Sequence, residues 1–159
     1  MPGSSPKPLA VLSAALTNLH RTLLARARRD YERDRGAVLG AGELLQLLTT
    51  DAHFAWLRSL SELIVDIDVF LDADPAPADD EASAVRAEIE RLLAPGKSAA
   101  PDSDFATRYW DSVHADPNVA IAHGEVRQAL ERLPSPAAVD EAQTLHERHR
   151  WIEARRHRR

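Results

Sequence analysis

At 159 residues the chain has the length of one domain, long enough to bury roughly 70% of the surface its unfolded form exposes. It has no cysteine, which excludes disulfides, thiolate metal sites and cysteine nucleophiles, and its net charge of −5 is unlike that of a basic nucleic-acid-binding domain. No apolar run approaches the roughly 18 residues of a membrane span.

Residues 1 to 7 are rich in Pro, Gly and Ser and are expected to be disordered. The apolar run from Leu9 to Leu16, behind Lys7, has the outline of a signal peptide. It is short, however, and its leucines continue in helical register to Leu23, so a helix is the better reading. Pro8 suits a first helical turn, and Leu9, Leu12, Leu16, Leu19, Leu23, Ala27 and Tyr31 mark a long amphipathic helix to about Arg35, closed by Gly36. Residues 37 to 42 read as a short turn.

Glu43 opens a second apolar pattern of Leu44, Leu45, Leu47 and Leu48. Thr49, Thr50 and Asp51 then predict a break before the helix resumes. Residues 51 to 72 carry the widest apolar arc of the chain. Leu57, Leu60, Ile64, Ile67 and Leu71 fall on one line, flanked by Trp56, Leu63 and Phe70 on one side and by Phe54 and Val65 on the other. Such an arc needs neighbours on more than one side, so the 42–72 segment is expected at the centre of a bundle. Pro75 ends it.

A third helix is expected from Asp79 or Asp80, with Ala82, Val85, Ile89, Leu92 and Leu93 as its buried stripe and Pro95 as its stop. A fourth, from near Asp104, carries Phe105, Tyr109 and Val113 with Trp110 beside them. Asp116 and Pro117 form a cap and a first-turn proline for a fifth helix holding Val119, Ala122, Val126, Ala129, Leu130 and Leu133. Ser135 caps a last helix with Val139, Ala142, Leu145 and Ile152. No stretch reads as a strand. The expected fold is all-α: an antiparallel up-and-down bundle of five or six helices, one domain over residues 8 to 157, with a basic tail at 158 and 159.

Leu19-His-Arg, Gly42-Glu-Leu-Leu-Gln-Leu-Leu48, Phe54-Ala-Trp-Leu-Arg and Ser61-Glu-Leu-Ile-Val-Asp-Ile-Asp68 carry a resemblance. Through them the first half of the chain resembles a group of short, uncharacterised, all-helical bacterial proteins. No activity is attached to that group, and the resemblance implies only a bacterial, soluble, all-helical protein. The lack of cysteine is compatible with the expected cytoplasmic location.

Charge is strongly segregated. Residues 43 to 104 hold fourteen acids against four bases, whereas residues 21 to 35 hold six arginines against three acids, and 146 to 159 six against two. The arginine-rich end suggests nucleic acid or an anionic membrane. The overall acidity argues against both, and a meeting of basic helix ends with the acidic middle, within one chain or across a homodimer, explains the asymmetry better.

The histidines are the groups with most chemical promise. Pairing the last two helices about Ser135 places His123 near the depth of His146 and His149, with Glu153 one turn along, a set able to hold a metal. The competing reading is that boundary histidines present an apolar body and a polar tip. His20, His53 and Asp68 form a second set, expected to be hydrogen-bonded at the core edge, with Asp68 meeting an arginine. A di-iron carboxylate bundle would need Glu-x-x-His twice, and the chain contains none. Glu62 and Asp66 have the spacing of paired carboxylates but are expected on a solvated face. With no nucleophile elbow or phosphate-cradling glycine loop, no residue is assigned as catalytic, cofactor-binding or metal-binding. The expected function is non-enzymatic, acting through contacts with another protein or a second copy. A histidine-based metal or redox bundle and nucleic-acid association through the C-terminal arginines are the alternatives.

Overall fold

Seven residues of the first helix, Leu9, Leu12, Ser13, Leu16, Leu19, Leu23 and Ala27, are buried along one line. That helix, α1 (Pro8–Arg35), starts on a first-turn proline and ends where Gly36 adopts a φ of 95° and donates its N–H to the Glu32 carbonyl. The computed structural model describes residues 7 to 38, 40 to 72, 78 to 95 and 103 to 135. These residues form seven helices and no strand, so the protein is all-α.

The second expected helix is three. α2 (Ala41–Thr50) ends as Thr49 and Thr50 turn their hydroxyls onto the Gln46 carbonyl, competing with the backbone ladder. Asp51 then accepts the His53 N–H at 2.8 Å and caps α3 (Ala52–Ala55). Trp56 and Leu57 form a tight turn closed by the Leu57 N–H on the Phe54 carbonyl, and α4 (Arg58–Leu71) follows. The chain continues as α5 (Asp79–Leu92), α6 (Ser103–Ala115) and α7 (Pro117–Glu131). Asp116 caps α7 by accepting the Asn118 N–H at 3.0 Å. The expected helix after Ser135 lies outside the described residues.

Polar contacts set the directions of packing. Along α1, Ser13 donates to Asp68 at 2.7 Å, His20 meets Ser61 at 2.7 Å, and the Ala27 carbonyl accepts from His53 at 2.9 Å. Numbers fall on the partner as they rise on α1, so the α3–α4 stretch runs antiparallel to it. The Asn18–Glu125 and Arg29–Asp116 hydrogen bonds show the same for α7. α6 packs on α7, and α5 seats Arg86 on the Leu133 carbonyl at 2.9 Å and Ser83 on the Ser135 carbonyl.

One core joins these elements. Leu12, Leu16, Leu19, Leu57, Leu60, Ile67, Val85, Ile89, Phe105, Tyr109, Val119 and Val126 are buried within it. Each large side chain of this kind contributes about 1.5–3 kcal/mol on leaving water. The 42–72 segment, expected at the centre, divides in burial. Phe54, Leu57, Leu60 and Ile67 are buried, Ile64 and Leu71 are half-buried, and Val65 is 46% exposed. α2 has no buried residue. The longest buried line belongs to α1, which packs against both α4 and α7. A wide arc records how apolar a helix is, and the neighbours decide how much of it they cover.

Candidate functional site

Two features stand out from this framework, an apolar helix on the outside and a charged cleft. α2 carries Leu44, Leu45, Leu47 and Leu48 on ten residues. Leu44, Leu47 and Leu48 are only partly covered by the core, and Leu45 is 63% exposed. Its main neighbour is the four-residue α3. The turn leading into α2 is firmly held all the same. Glu32 accepts both the Val38 N–H and the Arg28 Nε–H at 3.1 Å, while Arg28 also donates to the Val38 carbonyl. The Val38 N–H, and after it Arg28, hold the Glu32 carboxyl below the usual carboxylate range. The leucine face is therefore displayed on a fixed support.

The cleft has a volume of about 160 Å³ and lies between α1, α3 and α6. Arg26 and Asp30 enter from α1, His53 and Trp56 from α3 and the turn behind it, and Arg108 and Asp111 from α6. Arg26 is held by two long ion pairs, 3.9 Å to Asp30 and 3.8 Å to Asp116, neither short enough for a hydrogen bond. Among the described residues the Asp111 carboxylate, the Trp56 indole N–H and His53 Nδ1 have no partner. Residue order does not bring these groups together, and only the crossing of three helices does. Arg26 was legible as part of a basic tract, but nothing local to Trp56 or Asp111 marks either as facing a cleft.

The histidines are engaged separately. His53 Nε2–H donates to the Ala27 carbonyl, and its ring packs edge-on against Phe54 with centroids 5.1 Å apart. His20 bonds to Ser61, and burial lowers its pKa. The buried Tyr109 hydroxyl is hydrogen-bonded to His123 Nδ1 at 2.6 Å, within an aromatic group that includes Phe105 and Trp110. Burial pushes the Tyr109 pKa up, and burial together with Arg127 lowers that of His123, so the neutral pair is the stable form. His146, His149 and Glu153 lie outside the described residues. Among those described, no three His, Asp or Glu side chains are grouped to hold a metal ion. Asp68 takes its hydrogen bond from Ser13 rather than from the arginine expected for it. Glu62 is exposed and Asp66 half-buried.

The basic tract at 21 to 35 is largely neutralised within the chain. Arg28 pairs with Glu32, Arg29 with Asp116, Arg33 with Asp30 and Asp34, and Arg35 with Asp51. Among the described residues only the last joins the tract to the acidic middle. The arginines from 146 onward lie outside the described residues.

Among the described residues no helix is long and apolar enough to cross a membrane. Comparison with known proteins finds no matching family model, no similar curated protein and no similar solved structure.

Proposed function

We propose that the protein is a non-enzymatic helical contact protein and that α2 is its contact face. The observation that carries this reading is a ten-residue helix with four leucines, none of them buried. Leaving Leu45 in water forgoes about 1.5–3 kcal/mol, which a partner surface recovers on docking. A second copy of the chain is the first partner we assign. A leucine row packs on its own copy about a twofold axis without needing charge complementarity. We also assign the protein to a bacterial cytoplasm, and fractionation of the native cell tests that location.

A photo-crosslinking amino acid in place of Leu45, introduced in the native cell, tests the contact face directly. A discrete adduct, either to the chain itself or to one other protein, is expected. The same probe in place of the exposed Glu131 on α7 serves as control and should give none. No adduct at position 45, or equal adducts at both positions, overturns the proposal. Sedimentation equilibrium then separates the two partner classes. A dimer at micromolar concentration that Leu45→Glu dissociates identifies the second copy.

A further inference from the structure

The cleft between α1, α3 and α6 has a chemistry that the contact face does not use. Its four charged side chains are two arginines, Arg26 and Arg108, and two aspartates, Asp30 and Asp111, so its formal charge is zero. Residues with unspent hydrogen-bonding capacity of both kinds line it. The Arg26 guanidinium makes only long ion pairs and no hydrogen bond, and the Trp56 indole N–H has no acceptor among the described residues. On the accepting side, Asp111 and His53 Nδ1 have no donor there.

These groups narrow the ligand. A simple anion gains from Arg26 and the Trp56 N–H but meets Asp30 and Asp111. A simple cation gains from the aspartates but meets two guanidinium groups. A molecule bearing both charges satisfies both sets at once. Size narrows it further, because a cavity of about 150 Å³ accommodates benzene and this one is about 160 Å³. Two opposite charges on so few atoms describe a small ammonium carboxylate. The indole of Trp56, together with Leu23 and Ala27, offers a short apolar wall for a small side chain.

We infer that the cleft is a binding site for a small zwitterion of the free α-amino-acid class, with Arg26 receiving the carboxylate and Asp111 the ammonium. Arg26 donates two N–H groups to the carboxylate in the bidentate geometry that guanidinium favours. Trp56 lends its indole N–H to the same end, and His53 Nδ1 accepts a second ammonium hydrogen.

The test is an NMR titration of the full chain, reading the indole N–H resonance of Trp56, which Trp56→Phe assigns. The probes are glycine, alanine, serine and valine. Isobutylamine, 3-methylbutanoate and inorganic phosphate are matched controls lacking one or other charge. At least one amino acid is expected to move the Trp56 resonance with a dissociation constant near millimolar, about tenfold or more tighter than any control. Arg26→Gln and Asp111→Asn are each expected to weaken that binding about tenfold or more. Asp111 is exposed and unpartnered among the described residues, so its variant keeps the fold and remains informative if Arg26→Gln unfolds. The inference is overturned if no amino acid shifts the resonance at tens of millimolar, if a control binds as well, or if Asp111→Asn binds like the parent. The Leu45 crosslink reads a different surface, so either proposal can fail without the other.

Discussion

Arg29 and Asp116 are 87 residues apart in the chain, and Arg29 donates to the Asp116 carboxylate at 3.0 Å. The other carboxylate oxygen caps α7 through the Asn118 N–H, and Arg26 stands 3.8 Å away. One buried side chain therefore starts a helix and fixes where that helix meets α1. Asp116→Ala loses both the cap and the partner of Arg29 and should cost about 2 kcal/mol in urea unfolding. Asp116→Asn keeps a capping oxygen and should cost less than half as much. Equal losses would show that the cap contributes little.

Leucine content alone does not separate core from surface here, and two substitutions make that measurable. Leu60 is fully buried between α1 and its neighbours, so Leu60→Ala should cost about 2–5 kcal/mol. Leu45→Ala, on the exposed face of α2, should stay within about 0.5 kcal/mol in the monomer. A large loss at Leu45 under dissociating conditions would mean that α2 is packed more closely than described.

Gly36 and Gly42 should respond to alanine with opposite signs. Gly36 has a φ of 95° with open space where a Cβ would stand, so Gly36→Ala strains only the backbone, at about 1–3 kcal/mol. Gly42 lies inside α2, also in open space, and Gly42→Ala should stabilise by about 0.5–1 kcal/mol. Thermal unfolding of the two variants reads the difference.

Acid should weaken the fold in two stages. Burial lowers the pKa of His20 and His123 below 6.5, so below that value the unfolded chain takes up protons that the folded chain refuses. Stability is therefore full above about pH 7.5 and falls as pH drops from 6.5 through the folded values of the two histidines. Glu32 adds a lower window. Its stabilising bonds to Val38 and Arg28 persist below pH 4.5 and are lost as pH falls through its own lowered value. Urea unfolding across this range, with histidine NMR titration, checks both stages. A histidine pKa above 6.5 at either position would contradict the first.

Fold class and helix ends were largely legible in the sequence. Pro8, Gly36, Asp51, Asp116 and Pro117 act through their own backbone and near neighbours, so their roles follow from residue type and order. The same holds for the leucines of α1, whose spacing requires a buried line. The burial of α2, and which side of α4 is covered, depend on contacts far along the chain. Asp68 illustrates the limit, because its position predicted a buried-edge polar contact and nothing in its surroundings pointed to Ser13. The cleft was illegible for the same reason, since Arg26, Trp56 and Asp111 come from two helices and a turn whose meeting no local spacing encodes.

The three polar contacts between α1 and the α3–α4 stretch fall on positions 13, 20 and 27, one every seven residues among the leucines. Leucine faces alone slide past each other at small penalty, because hydrocarbon accepts hydrocarbon in many alignments. Displacing this pair by a single turn would break the Ser13–Asp68, His20–Ser61 and His53–Ala27 hydrogen bonds all at once. The alignment of the two rods is thereby digital rather than graded, enforced by a ruler whose marks are hydrogen bonds.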